Sequence, residues 1–146
     1  MAEFKFAKPG LNSVGQYQMS GIPYVSSSIL IMPSDHPPKE IKFPTITKFV
    51  TVVNDHSGSN APLRVGFSET AFGTTEFVNR HYFVLNNGES YTGEFRVAKV
   101  YLAGENAAGS TASVVAGLTQ IETGNLGVNG GDNWGGTDSI YKIGID

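Results

Sequence analysis

The sequence predicts an all-β domain, an antiparallel two-sheet sandwich. Three observations carry this: short apolar runs with period-two alternation, turn residues at roughly 8–12-residue spacing, and no sustained apolar repeat at helical spacing. The chain has 146 residues, enough for one domain with one substantial core. Aromatic residues make up 11% and β-branched residues are plentiful, so a disordered chain is excluded.

Residues 1–20 carry few core-forming side chains and a Pro9-Gly10 break, and read as an extended N-terminal arm. Residues 21–146 read as a single β domain. Ile22–Met32 is a β-rich run with Ser26-Ser27-Ser28 in its middle, and Ser34–Lys39 is a Pro- and Asp-bearing loop. Glu40–Asn54 is strongly β in composition, but its alternation breaks at Pro44: Ile41 and Phe43 share one phase, Ile46, Val50 and Val52 the other. Proline cannot donate to a sheet ladder, so a bulge, an edge or a strand-to-strand corner is expected there.

Asp55–Pro62 reads as a polar loop. Leu63, Val65 and Phe67 then alternate with Arg64, Gly66 and Ser68, as in a half-buried strand. Glu69–Arg80 is long and mixed, the expected site of a large exposed loop. His81–Leu85 is a strand, and Asn87-Gly88 is a hairpin signal because both residues tolerate positive φ. Tyr91–Gly104 reads as the returning strand, with Tyr91, Phe95 and Val97 on one face and Glu94 and Arg96 on the other. After a turn at Glu105–Ser110, Thr111–Ile121 is the last clear strand. The period-two phase places Leu63, Val65, Phe67, Phe95, Val97, Val114 and Leu118 in the core. A glycine-rich segment, 124–139, holds the only tryptophan, Trp134, and Ile140–Ile145 is a candidate closing strand. The count is seven or eight strands, a pattern shared by sandwiches, jelly rolls and barrels.

Composition narrows the function. Charged residues are only 16%, against about 25% in an average protein. Such a neutral, polar surface suits a domain whose faces meet other protein, or an extracellular domain that meets sugars. Ten scattered basic residues and a net charge of −3 argue against nucleic acid as a partner. With no cysteine, disulfides and thiolate metal sites are excluded. No apolar run resembles a signal peptide or approaches a membrane span, so synthesis in a cytoplasm and no membrane partner are expected.

No residue set announces catalysis. His36, His56 and His81 fall in or beside loops, far apart, without the close histidine pair and carboxylate of a β-barrel metal site. Gly66-Phe67-Ser68-Glu69-Thr70 resembles the start of a nucleophile elbow but lacks its final glycine and a following helix. Glu89 and Glu94 read as solvated. Asp132 and Asp138 do not have the spacing of the usual calcium loop. Tyr17, Tyr24, Tyr82, Tyr91, Tyr101, Tyr141 and Trp134 could include a sugar-stacking platform, though aromatics at strand positions are more often core. The expectation is therefore no enzyme, no cofactor and no metal.

The phrases Phe43-Pro-Thr-Ile-Thr-Lys-Phe-Val-Thr-Val-Val-Asn, Leu63-Arg-Val-Gly-Phe-Ser, Tyr82 to Val97, Val100-Tyr-Leu and Ala112 to Leu118 resemble small single jelly-roll structural proteins of icosahedral viruses and phages. The resemblance covers about residues 22–121. It implies a single jelly roll and a virion location. It also implies a capsid penton, vertex or decoration subunit that binds other capsid proteins and itself, as a ring of three, five or six copies. The alternative is a carbohydrate- or receptor-binding β-sandwich of a virus or phage. Phe4, Phe6 and Trp134 are the expected partner-binding residues, because large apolar groups on segments too poor to fold alone are best used by docking into a neighbour.

Overall fold

The computed structural model describes residues 8–58, 60–68, 72, 81–107 and 109–126. Its described part is an antiparallel two-sheet sandwich of eight strands. They are β1 (Ile22–Ile31), β2 (Lys39–Lys42), β3 (Thr47–Asn54), β4 (Leu63–Gly66), β5 (Tyr82–Leu85), β6 (Ser90–Gly93), β7 (Lys99–Gly104) and β8 (Ser110–Leu118). One sheet has the order β1-β8-β3-β6 and the other β2-β7-β4-β5. Between them lies one core cluster, with Ile31, Leu63, Val65, Val100, Leu102 and Val114 among its most buried members.

The Pro44 break is a corner between sheets. Ile41 and Phe43 enter the core from β2, and Ile46, Val50 and Val52 enter it from the other side, which is why the phase flips. The corner is stitched by main-chain bonds that replace the lost ladder: Phe43 N donates to Ala98 O at 2.9 Å and Ile46 N to Ile121 O at 3.0 Å. Thr47, wholly buried, holds the neighbouring crossing; its Oγ1 lies 2.5 Å from Phe95 O and accepts from Val97 N at 3.1 Å.

Two expectations need correcting. Tyr91–Gly104 is not one strand: β6 pairs with β3 and β7 with β4 and β2, in different sheets, and residues 94–98 cross between them. Val97 and Ala98 are buried in the crossing, so apolar residues run through it without a sequence break. Asn87-Gly88 is a turn, with Glu89 N bonded to Asn86 O at 2.9 Å, but it does not close a hairpin, since β5 and β6 belong to different sheets. Only Gly88 has positive φ there.

The core phase was read correctly for Leu63, Val65, Val97, Val114 and Leu118, all buried. Phe67 and Phe95 are half-buried and touch each other edge-on at the side of the core, with ring centroids 5.0 Å apart. Glu94 and Arg96 are exposed, whereas Arg64, expected on the wet face, is buried. Of the expected exposed loop Glu69–Arg80, only Phe72 is described, and it too is buried.

The described part of the N-terminal segment is not extended throughout: Val14–Gln18 form a helical turn, α1. It lies against its own sandwich. Gln120 N donates to Gln16 Oε1 at 3.0 Å, Arg96 Nη1 to Leu11 O at 3.3 Å, and Lys8 pairs with Glu122 at 3.1 Å. A 3-10 turn, Thr123–Leu126, follows β8. The rest of the glycine-rich segment and the candidate strand Ile140–Ile145 lie outside the described residues.

Candidate interaction surfaces

The outer faces of the two sheets differ in chemistry. In the β2-β7-β4-β5 sheet the outward positions include Glu40, Lys42 and Lys99, with Glu40 3.4 Å from Lys99 and 3.9 Å from Lys42. Further along the same face, Arg64 is covered by aromatic rings. Its guanidinium carbon sits 5.4 Å from the Phe72 ring centroid and 5.3 Å from that of Tyr82, and these two rings stack on each other 5.6 Å apart. Arg64 Nε and Nη2 both donate to Gly104 O, at 3.1 and 2.7 Å. Tyr101 and Ala103 complete this small second cluster. Arg64 is 8% exposed, yet no carboxylate among the described residues pairs with it. Among the described residues the guanidinium is held by two ring faces and one carbonyl.

Arg64 is therefore a clamp that ties β4 to the end of β7 and seats Phe72. Lysine keeps the charge but cannot give two bonds to one carbonyl while lying flat against two rings. Arg64→Lys is expected to lower stability by about 2 kcal/mol. A urea midpoint that falls at unchanged slope would register it; an unchanged midpoint would show the clamp contributes nothing.

The β1-β8-β3-β6 sheet presents a different outer face. Register places Val25 beside Val115, Val115 beside Thr51, and Thr51 beside Thr92, an uncharged row across all four strands. The adjacent row runs Pro23, Gly117, Phe49. Gly117 is required there, since a Cβ would come within 2.4 Å of the Phe49 ring. Leu30 points outward between buried Ile29 and Ile31.

A third surface lies along the open side where β5 and β6 are edges of different sheets. Phe83 and Tyr91 pack 5.0 Å apart, and Tyr91 and Phe95 stack 6.2 Å apart, leaving Tyr91 45% exposed.

The remaining sequence candidates are not brought together. His36 is exposed and bonded to Asp35 at 2.8 Å; that bond is the main cause holding the Asp35 carboxyl below its ordinary range. His56 Nδ1 lies 3.3 Å from Thr111 Oγ1, while the Nε2 of His81 and the Oγ1 of Thr45 are buried without a hydrogen-bond partner. Ser68 is buried. Glu89 braces its turn by accepting from Asn86 N at 2.8 Å, and Glu94 is solvated. Tyr17 donates to Leu11 O, and Tyr24 packs edge-on against core Phe43. Among the described residues no group of three His, Asp or Glu side chains could hold a metal ion, and no helix is long and apolar enough to cross a membrane. Phe4, Phe6, Trp134, Asp132, Asp138 and Tyr141 lie outside the described residues.

No protein-family model and no curated protein sequence matches the chain. Among solved structures it is similar to hydroxypropylphosphonic acid epoxidase from S. wedmorenis in complex with fosfomycin, at 14% identity and a TM-score of 0.37. The match covers 68% of this chain and 44% of the epoxidase chain, so this chain spans less than half that protein's length. A likeness of that size carries no inference about function.

Proposed function

We propose that this protein is a structural subunit of a virus particle, a single jelly roll that works by assembling with copies of itself and with other capsid proteins. The observation that carries the reading is the strand order. Its antiparallel neighbours include β1 with β8, β2 with β7, β3 with β6 and β4 with β5. Those four pairs describe one long hairpin with β4 and β5 at its tip. Rolling that hairpin so that alternate pairs fall in opposite sheets gives the orders β1-β8-β3-β6 and β2-β7-β4-β5. That supports the jelly roll, an architecture shared by viral capsid and lectin domains. The low charge of the chain and the uncharged row of side chains on one sheet favour the capsid use.

The test is the mass of the full chain in solution, by sedimentation or native mass spectrometry, alone and with the virion shell. A ring of three, five or six copies, or a copy bound to the shell, is the expected result. A monomer at high concentration that also ignores the shell would end the reading.

One observation favours a sugar-binding module instead: the exposed ring of Tyr91 beside Phe83 and Phe95. A glycan array decides this, since binding that Tyr91→Ala abolishes would assign the seam to carbohydrate.

A further inference from the structure

Six of the eight large hydrophobic side chains that stand exposed among the described residues fall between residues 14 and 32: Val14, Met19, Ile22, Val25, Leu30 and Met32. The stretch Pro9–Ser34 contains no Asp, Glu, Lys or Arg. Ile22, Val25 and Leu30 are on β1 and Met32 follows it, and among the described residues β1 is an edge strand ten residues long. The other three edges, β2, β5 and β6, are four residues each, and β2 carries Lys39, Glu40 and Lys42. Short or charged edges resist pairing with foreign strands. β1 has neither protection, but it has two others. Pro23 removes one donor, and a bulge between Ser26 and Ile29, with Ser28 at φ 56°, breaks the regular edge. Both devices oppose extension of the sheet by another strand. Neither hides the side chains.

We infer that the outer side of β1, continued across the uncharged row on β8 and β3, is the surface through which a second copy of this chain docks, face against face. The inference rests on the reading of the protein as a self-assembling subunit and adds a two-fold contact between copies, distinct from the head-to-tail contacts that close a ring. A two-fold interface must be complementary to itself. The middle of this face carries no charge, with Lys48, bonded to Met19 O, and Asp55, which accepts from Ser113 Oγ, at its two ends, so a copy meets Val25, Val115 and Thr51 without like-charge repulsion and with little polar desolvation. Val25, Val115, Thr51 and Leu30 are short or branched side chains of the kind that interdigitate between stacked sheets about 10 Å apart. The area is sufficient. At ordinary strand spacing and rise a four-stranded face of this length spans about 500 Å². Two such faces bury about 1,000 Å², the lower end for a specific interface. The opposite sheet offers no equivalent, since Glu40, Lys42 and Lys99 occupy its outer side.

Val25 is 66% and Leu30 72% exposed, so lysine at either site fits the free subunit. The experiment compares the full chain with Val25→Lys, Leu30→Lys and, on the other sheet, Lys42→Gln, by sedimentation over a concentration series and by thermal melting of dilute samples. The expected result is self-association of the parent and of Lys42→Gln, weakened about tenfold or more in both lysine variants at unchanged dilute melting temperature. If the parent assembles and the lysine variants assemble equally well, the contact lies elsewhere and only this inference falls. A parent that stays monomeric alone and with the shell overturns both this inference and the reading beneath it. A lysine variant with a lowered dilute melting temperature would show that the side chain serves the subunit's own fold, and would likewise overturn the assignment.

Discussion

Replacing Asn54 with alanine is expected to lower stability by about 3 kcal/mol or more, a fall in melting temperature of about 10 °C for a domain of this size. Asn54 is wholly buried at the end of β3. Its Nδ2 donates to Ala61 O and to Leu85 O, each at 2.9 Å. Its Oδ1 accepts from His56 N at 3.2 Å and from Ser110 Oγ at 3.3 Å. One amide thus spans both sheets, linking the end of β3, the approach to β4, the end of β5 and the start of β8. Its backbone adds two bonds to the 86–89 turn, from Gly88 N at 2.8 Å and to Glu89 O at 2.9 Å. Alanine keeps the backbone bonds but removes a donor from Leu85 O and from Ala61 O, which keeps only Ser110 Oγ at 3.0 Å, and takes the acceptor from Ser110 Oγ and His56 N; the loss of four bonds at a buried site sets the magnitude. Thermal melting followed by near-UV circular dichroism would measure it. A loss under about 1 kcal/mol would mean that neighbouring donors or water replace the amide.

A second large effect is expected at Gly109, and it separates two reasons for needing glycine. Gly109 and Gly88 both have positive φ, +75° and +80°. Asparagine tolerates that conformation better than other residues with a side chain. At Gly88 a Cβ meets nothing within 4 Å, so Gly88→Asn should cost under about 1 kcal/mol. At Gly109 a Cβ would stand 2.4 Å from Ile31 O, on the partner strand β1. Gly109→Asn must push β1 and β8 apart where Ile31 faces Ser110, and about 3 kcal/mol is the expected loss. Equal costs at the two sites, measured by urea unfolding, would show that φ alone decides.

How legible these features were in the sequence depended on how local their causes are. The β4 alternation and the phase flip at Pro44 are local; the first led to the right strand, and the second to the right position, where a corner was one of three alternatives. Sheet membership is not local. Asn87-Gly88 announces a turn in any context, yet nothing near it says that β5 will pair with β4 and β6 with β3. The crossing at residues 94–98 stayed hidden because Val97 is as apolar as a strand residue. Arg64 was assigned to water by its phase, and the phase was right; the cover came from Phe72 and Tyr82, eight and eighteen positions away. The aromatic candidates chosen for docking, Phe4, Phe6 and Trp134, lie outside the described residues. The uncharged stretch from Pro9 to Ser34 was available as a signal of an exposed contact, and was masked by looking like an ordinary strand.

The pairing of β1 with β8 also sets a schedule for biosynthesis. Among the described strands β1 has a single neighbour, and that neighbour ends at Leu118. No consecutive pair among the described strands forms a tight hairpin, since the one successive pair within a sheet, β4 and β5, is joined by residues 67–81. While the chain is emerging from a ribosome, β1 therefore waits for nearly a hundred residues with its apolar side chains unpaired. Closure of the sheet is a late event, governed by contacts distant in sequence, and such topologies fold in milliseconds to seconds rather than microseconds. During that interval the nascent chain exposes the uncharged β1 part of the surface proposed for docking. Neighbouring chains on one message could meet there before either has folded, so yield of soluble protein should respond to translation rate and temperature more than to the stability of the finished fold.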